Sequence, residues 1–493
     1  MIKNIRRFIL PCILLVVLGF GTWSLTESPS IWGDEGLLIE LSVNLARHGK
    51  MMSQIAPNQF VSGALMTTGF PVIYPVAASF SLFGFGILQA RAVMVIFMLL
   101  AITAIFVYTK RIYGTRNAAF ATLLVATFPP FYGNGKNVLG EIPGLLFMVL
   151  FLLTVHQLET SEKKRRLLFL LAGLAAGLCL ATKPVFLTLL PSMVGGAILA
   201  RKKIERNFKA WLLFAFGLAL PIIFWLKTQF FPGDSVHDIL SMYANPYQLD
   251  NINAVIVTNF QRFFSESAPI YLLFIYAVWS ISFLPRLWKN LRSKPREYLI
   301  PLSEAISYAF CGLIMIAYLR TPGWYRYFFP AQIIAFIYFP ASLRIVFNHG
   351  RNIASKILRR DILPKISALA PIALLTILIF LQAYQTSFKS WVATTYRGTM
   401  THELTQYFKT FDPTKSIFVV PEIIVFLPGD NYYHYIDVVG FTFGDEEALG
   451  AVMKGIPDFL ITYKYIWDSP DRPYALYQEK TRIGRYVIAE RSR

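Results

Sequence analysis

The chain has 493 residues, 55% of them hydrophobic and 15% charged, with a net charge of +19 and a mean hydropathy of +0.50. This composition excludes a soluble globular protein and implies repeated crossings of a bilayer. The basic residues sit in short connections between apolar runs, where they orient a membrane protein, so nucleic acid is excluded as a partner.

The N-terminal MIKNIRRFILPCILLVVLGFGTWSL has the basic and apolar regions of a signal peptide without a small-x-small cleavage site, and reads as an uncleaved signal anchor. Windows of about twenty apolar residues place eleven spans, near residues 8–25, 88–108, 117–132, 139–157, 167–181, 184–200, 209–227, 269–285, 298–319, 326–346 and 366–385. With the N-terminus cytoplasmic, the inside segments hold about three times as many Lys and Arg as the outside loops. Merging residues 167–200 into one span would put RKKIERNFK outside, so a hairpin turning at Thr182-Lys183-Pro184 is preferred. The three cysteines, Cys12, Cys179 and Cys311, all lie in apolar runs, which points to neither a disulfide framework nor a cysteine metal site.

After the first span, IWGDEGLLIELSVNLARHGK opens with two adjacent carboxylates, Asp34 and Glu35. Leu37, Leu38, Leu41 and Leu45 recur at helical spacing while Glu40, Asn44 and His48 fall on another face, so residues 36–48 read as an amphipathic interfacial helix with Asp34 at or near its N-cap. Capping and helix-dipole stabilisation explain acids there. A general base held just outside the bilayer explains them equally. Residues 51–87 are apolar but broken by Pro and Gly and read as a second interfacial segment. The loop 228–268, the longest outside connection in the membrane part, is a surface loop or a lid. From about residue 387 the composition shifts: SIFVVPEIIVFL, DFLITYKYIW and RYVIAE read as strands and the stretch around GDEEALGAVMKG as a helix. The organisation expected is therefore an all-α polytopic membrane domain over 1–386 and a small extracytoplasmic α/β domain over 387–493.

The outside face collects Asp34, Glu35, Lys136, Asn137, Glu141, Lys183, Arg320 and Arg326. Each has a plain structural reading: Glu141 as a helix-start acid, Lys183 snorkelling at a hairpin tip, Arg320 and Arg326 anchoring a TPGWY turn with Trp324 and Tyr325. His48, His237 and Asp238 show no metal-ligand spacing, and no phosphate loop, dinucleotide fingerprint, zinc-protease motif or nucleophile elbow occurs. No metal site or cofactor is assigned; a divalent cation helped by Glu35 and Glu141 is left open.

Together, GDEGLLIELSVNLARHGKM, LQARAVMVIFMLLAITAIFVYTKRIYG, NAAFATLLVATFPPFYGNGKNVLGEIPGLLFMVLFLL, LATKPVFLTLLP and WYRYFFPA resemble the GT-C glycosyltransferases of the protein O-mannosyltransferase and lipid A aminoarabinose transferase superfamily. The resemblance covers roughly residues 30–340 and rests on the order of the DE pair, the AR of the next span and the acid opening the fourth. It implies a GT-C fold and a transferase that moves a sugar from a polyprenyl-phosphate-linked donor on the outer face of the membrane, in bacteria the inner membrane. The first-loop acid acts as base in that family, which maps to Asp34, with Glu35 as its motif neighbour. Glu141 takes the second acidic position. Lys183 and Arg326 fall in segments similar to the family's LTKG-like and RYLLP-like stretches, with Pro184 where the family has Gly. Displacing a polyprenyl phosphate needs a base for the incoming hydroxyl and cations near the departing phosphate, so Lys183, Arg326 and Arg320 are the candidate donor-phosphate residues, and opposite-face placement predicts inversion. The acceptor is left open between a glycolipid, a protein hydroxyl and a polysaccharide. A transporter or flippase of lipid-linked saccharides is the alternative, disfavoured because the ionisable groups gather at span ends rather than along a path at mid-membrane.

Overall fold

The apolar runs fold as helices, which satisfy every backbone hydrogen bond within the segment. The structure, a computed structural model, describes residues 2–63, 68–200, 208–230, 237, 251–292, 300–358, 363–390, 398–434, 457–469 and 476–492. Helix α1 is Ile2–Thr22, α2 Gly33–His48, α3 Phe70–Phe83, α4 Ile87–Ala126, α5 Pro129–Gly135, α6 Glu141–Thr160, α7 Arg165–Thr182, α8 Leu189–Ala200 and α9 Phe208–Gln229. They are followed by α10 Ile252–Ser265, α11 Ser267–Arg292, α12 Leu302–Tyr318, α13 Phe329–Leu358, α14 Leu363–Tyr384 and α15 Met400–Lys409. Among the described residues seven helices are long and apolar enough to cross a membrane, and four shorter apolar ones accompany them.

All eleven predicted spans fall on helices. Two of them share α4, whose 40 residues would make a rod of about 60 Å, twice the hydrocarbon core. Gly114 breaks that helix with φ 79°, a conformation glycine adopts without steric cost, so residues 115–126 are a second arm. The 117–132 run ends at Ala126 and resumes as the short α5. Helix α7 packs between α6 and α9, α13 packs on α4, α11 and α12, and one continuous apolar core runs through them.

Helix α2 departs from its expected setting. Its Leu38, Ile39, Leu41 and Val43 are buried, but so are Glu40 and Asn44 on the polar face, so that face is covered rather than wet. Its apolar side packs on α3, and its other side is covered by a 3₁₀ helix at Pro421–Phe426 from the C-terminal part. Trp32 holds the cap position, without a side-chain cap bond, and Asp34 lies near it, in the first turn with Glu35.

The broken 51–87 segment contains a hairpin, β1 (Met52–Ala56) with β2 (Gln59–Ser62), before α3. Its turn is Pro57-Asn58, with Asn58 at φ 61°, which Asn tolerates better than most residues. Residues 231–236 and 238–250 of the 228–268 loop, Asp238 included, lie outside the described residues; its end forms α10, and His237 is exposed.

The C-terminal part carries a five-stranded mixed sheet in the order β4-β3-β5-β7-β6, with β3 Ile417–Phe418, β4 Tyr432–Tyr433, β5 Phe459–Tyr463, β6 Tyr477–Ile483 and β7 Tyr486–Arg491. β3 runs parallel to β4 and β5; β7 is antiparallel to β5 and β6. SIFVVPEIIVFL is strand only at Ile417–Phe418, because Pro421 starts the 3₁₀ helix instead. The β6 strand has no counterpart among the sequence expectations, and the expected helix around GDEEALGAVMKG lies outside the described residues. The β6–β7 turn is Gly484-Arg485, which puts Arg485 at a hairpin tip.

Candidate active site

The first turn of α2 divides its two carboxylates. Glu35 points inward and is fully buried, held by Arg91 of α4 through Nε–Oε1 and Nη2–Oε2 contacts of 2.9 and 2.6 Å. The Val138 N–H also donates to Oε1 at 3.1 Å. Arg91 in turn donates to the carbonyls of Leu25 and Pro29, which ties the end of the first connection to α4. Asp34 points outward with its side chain 45% exposed, and Oδ2 accepts from Arg326 Nη1 at 2.6 Å. Among the described residues its Oδ1 accepts no hydrogen bond.

Arg326 lies in a one-turn 3₁₀ helix at Tyr325–Tyr327 just before α13. Its guanidinium is shielded by the rings of Trp32, Trp324 and Tyr327, each about 5 Å away. Burial lowers its pKa, but Asp34, Tyr327 and Glu141 together outweigh that and hold it above the ordinary value.

Glu141 begins α6 and is buried, with Lys183 Nζ donating to its Oε1 at 2.6 Å. Lys183 is extended at φ −161°, as a residue before proline prefers, while Pro184 begins the 3₁₀ helix Pro184–Thr188. Burial pushes the Lys183 ammonium below its ordinary range, against the pull of Glu141. The two ion pairs form one electrostatic unit: Arg326 and Asp34 both act on Lys183, and Glu141 acts on Arg326. Four of the six sequence candidates therefore converge, from segments almost 300 positions apart. Glu35 stands behind them as a buried brace. Arg320 does not join them; it is exposed at the end of α12 and makes no ion pair among the described residues.

Lys136, also on the expected outer face, is buried with its Nζ donating to the Trp23 carbonyl at 2.7 Å. Burial, and then the nearby Arg91, push it down to about 7. Glu35 and Glu141, the carboxylates considered for a divalent cation, each face a cationic side chain. Among the described residues no three His, Cys, Asp or Glu side chains gather, so this donor set suits ion pairing rather than metal binding.

Beside the Asp34–Arg326 pair opens a cavity of about 880 Å³. Trp32, Phe128, Tyr271, Tyr325 and Leu378 give it an apolar wall, and its charged lining is basic throughout: Arg326, Lys389 and Arg485. Sequence reading missed Lys389 and Arg485. Lys389 looks like a span-end anchor, and Arg485 sits at a hairpin tip far along the chain. A basic cavity with an aromatic and aliphatic wall fits an amphiphile whose head is a phosphate.

Residues 70–225 match the family model described as dolichyl-phosphate-mannose-protein mannosyltransferase. Among curated proteins, none matches the chain by sequence. The chain is similar in structure to ArnT from Cupriavidus metallidurans in the apo state, with 16% identity, 97% of each chain covered and a TM-score of 0.58. ArnT bound to undecaprenyl phosphate gives 15% identity, 99% and 98% coverage and 0.55. The oligosaccharyltransferase AglB from Archaeoglobus fulgidus, in complex with an inhibitory peptide and a dolichol-phosphate, gives 11% identity, 94% of this chain and 69% of that one, and 0.57. The fold is the GT-C glycosyltransferase fold. With the family match over residues 70–225, the chain is a polytopic membrane protein of GT-C architecture, as its sequence motifs imply. Within this GT-C chain the matched segment carries Arg91, Glu141 and Lys183, while Asp34, Arg326 and Arg485 lie outside it.

Proposed function

We propose that the chain transfers a sugar from a polyprenyl-phosphate-linked donor to a hydroxyl acceptor at the outer face of the membrane, with Asp34 as general base. The observation that carries this is the half-exposed Asp34 carboxylate, one oxygen held by Arg326 and the other open, where Arg326 itself lines a cavity whose charged lining is wholly basic. In this reaction the acceptor O–H proton passes to Asp34, the acceptor oxygen bonds to the anomeric carbon, and the bond from that carbon to the phosphate oxygen breaks. The departing polyprenyl phosphate carries its own charge, so it needs cations rather than a proton; Arg326, Lys389 and Arg485 supply them. Attack from the side opposite the phosphate inverts the anomeric centre. ArnT has been solved with undecaprenyl phosphate and AglB with dolichol-phosphate, which supports the donor class.

Glu141 and Lys183 act as positioning residues. Their pair sets the potential around Arg326 and Asp34 without facing the cavity. The comparisons lend the transporter reading no support.

The test is Asp34→Asn in purified, correctly folded protein given a polyprenyl-phosphate sugar. Transfer is expected to fall by about 10²–10⁴-fold, the range of a lost general base, with lipid-phosphate binding retained. Transfer at the wild-type rate would overturn the assignment.

A further inference from the structure

A second basic cavity lies at the other end of the helix bundle. Counting along α13 at about 1.5 Å per residue, Arg344 is roughly 27 Å and Arg351 roughly 38 Å from Arg326. That separation matches or exceeds the hydrocarbon thickness of a bilayer, about 30 Å. The cavity, about 310 Å³, is enclosed by the second arm of α4, by α13 and by α14. Arg116 comes from α4, two residues after the Gly114 break, and Arg344 and Arg351 from one face of α13, two turns apart. Asn117 and Asn348 lie between them. Among the described residues no carboxylate lines the cavity, and none of the three arginines makes an ion pair.

Arginines at the inner ends of spans are expected of any membrane protein. What that rule does not require is three of them converging on one concave site with amides and without acids. Guanidinium groups in such an array match the oxygens of a phosphate. The remaining lining, Phe120, Ile372 and Leu375 with Pro340 and Pro371, is apolar, and most of it comes from the apolar spans themselves. A free phosphate has no use for that wall; a lipid does.

We propose that this cavity binds the phosphodiester headgroup of an anionic phospholipid, with its acyl chains leaving along the α13–α14 face. The site is independent of the outer cavity and of sugar transfer.

The experiment measures thermal unfolding of the full-length protein in detergent with phosphatidylglycerol, with phosphatidylcholine of the same chains, or with inorganic phosphate, alongside native mass spectrometry of retained lipid. Phosphatidylglycerol is expected to stabilise and to be retained; phosphatidylcholine and inorganic phosphate are not. Each arginine-to-glutamine change should weaken retention by about tenfold, the size of one lost charge-assisted contact. The triple variant R116Q/R344Q/R351Q should lose the phosphatidylglycerol response while keeping its transferase rate. Should the triple variant fail to fold, R344Q alone, at an exposed position, gives the graded readout. Equal responses to the two lipids, or an undiminished phosphatidylglycerol response in R344Q and the triple variant, would overturn the proposal. Stabilisation by inorganic phosphate as large as by lipid would overturn it in favour of a soluble anion.

Discussion

Two adjacent carboxylates with opposite environments should give opposite phenotypes. Asp34 is half exposed and its pair with Arg326 is worth about 0–1 kcal/mol to stability, so Asp34→Asn should barely move the unfolding midpoint while lowering transfer by about 10²–10⁴-fold. Glu35 is fully buried against Arg91, and removing its charge leaves a guanidinium stranded in the core. That loss costs about 3–5 kcal/mol, so Glu35→Gln should lower the midpoint sharply; unchanged stability would show that Arg91 is satisfied by the Leu25 and Pro29 carbonyls alone. The DE pair was legible in the sequence, and so was the AR, but not that one acid belongs to the other motif's arginine. Nothing in the spacing of Glu35 and Arg91 encodes the contact; it appears only when α2 and α4 are packed. Lys136 gives a pH signature. Burial lowers its folded pKa from 10.5 to about 7, so between those values the unfolded chain holds more protons than the native one. Stability should therefore rise with pH from about 7 upward, the burial penalty being complete below that. Lys136→Met should flatten this slope in thermal scans taken between neutral and mildly alkaline pH; an unaltered slope would assign it to another group.

At the scale of elements, α2 is the piece whose surroundings the sequence mispredicts. Its period is helical and its apolar stripe is real, which is why its existence and extent were legible. Its polar stripe reads as wet because its cover is supplied almost 400 residues later: Tyr432 donates to Glu40, Gln54 donates its side-chain amide to the Tyr432 carbonyl, and Arg47 donates to the carbonyls of Leu427 and Gly429 and to Asp430. Hydrophobic periodicity reports which side of a helix is apolar, but not whether a polar side meets water or a distant polar surface. The contact is also close. A Cβ on Gly36 would come within 2.5–2.8 Å of the Pro421–Glu422 backbone, which has no side-chain freedom with which to yield. Gly36→Leu should therefore push the 421–426 segment off α2 and cost about 1–3 kcal/mol as overpacking does. Faster proteolysis of the region after residue 398, with the membrane helices left intact, would report the displacement; an unchanged digestion pattern would mean that α2 shifts instead. The helices of the membrane part were placed closely because a run of apolar residues in lipid has only one way to satisfy its backbone. The β1–β2 hairpin was not, because it is short and its Pro-Asn turn sits in a stretch where prolines and glycines hide the alternation.

At the scale of the whole molecule, the C-terminal sheet reaches into the site that the membrane helices build. Arg485, at the β6–β7 tip, donates to the Ile31 carbonyl, three residues before Asp34, and to Glu422 at 2.9 Å, and it also lines the outer cavity with Arg326 and Lys389. It has two available roles, which kinetics can separate. As part of the phosphate cradle it would bind the donor headgroup, and Arg485→Ala would then raise KM for the polyprenyl-phosphate donor by about 10–100-fold, the value of a lost charge-assisted bond of 1.5–3 kcal/mol, with kcat nearly unchanged. As a strut for the Ile31 segment it would fix Asp34, and the same change would lower kcat with little effect on KM. Its place in the cavity wall, together with the second anchorage of that segment through Arg91 and the Pro29 carbonyl, favours the first role. Arg485→Lys keeps the charge but not the fork, so it should recover part of the lost donor affinity. A fall in kcat alone, not rescued by lysine, would instead make the sheet a clamp on the base, and would place the binding of the donor phosphate with Arg326 and Lys389.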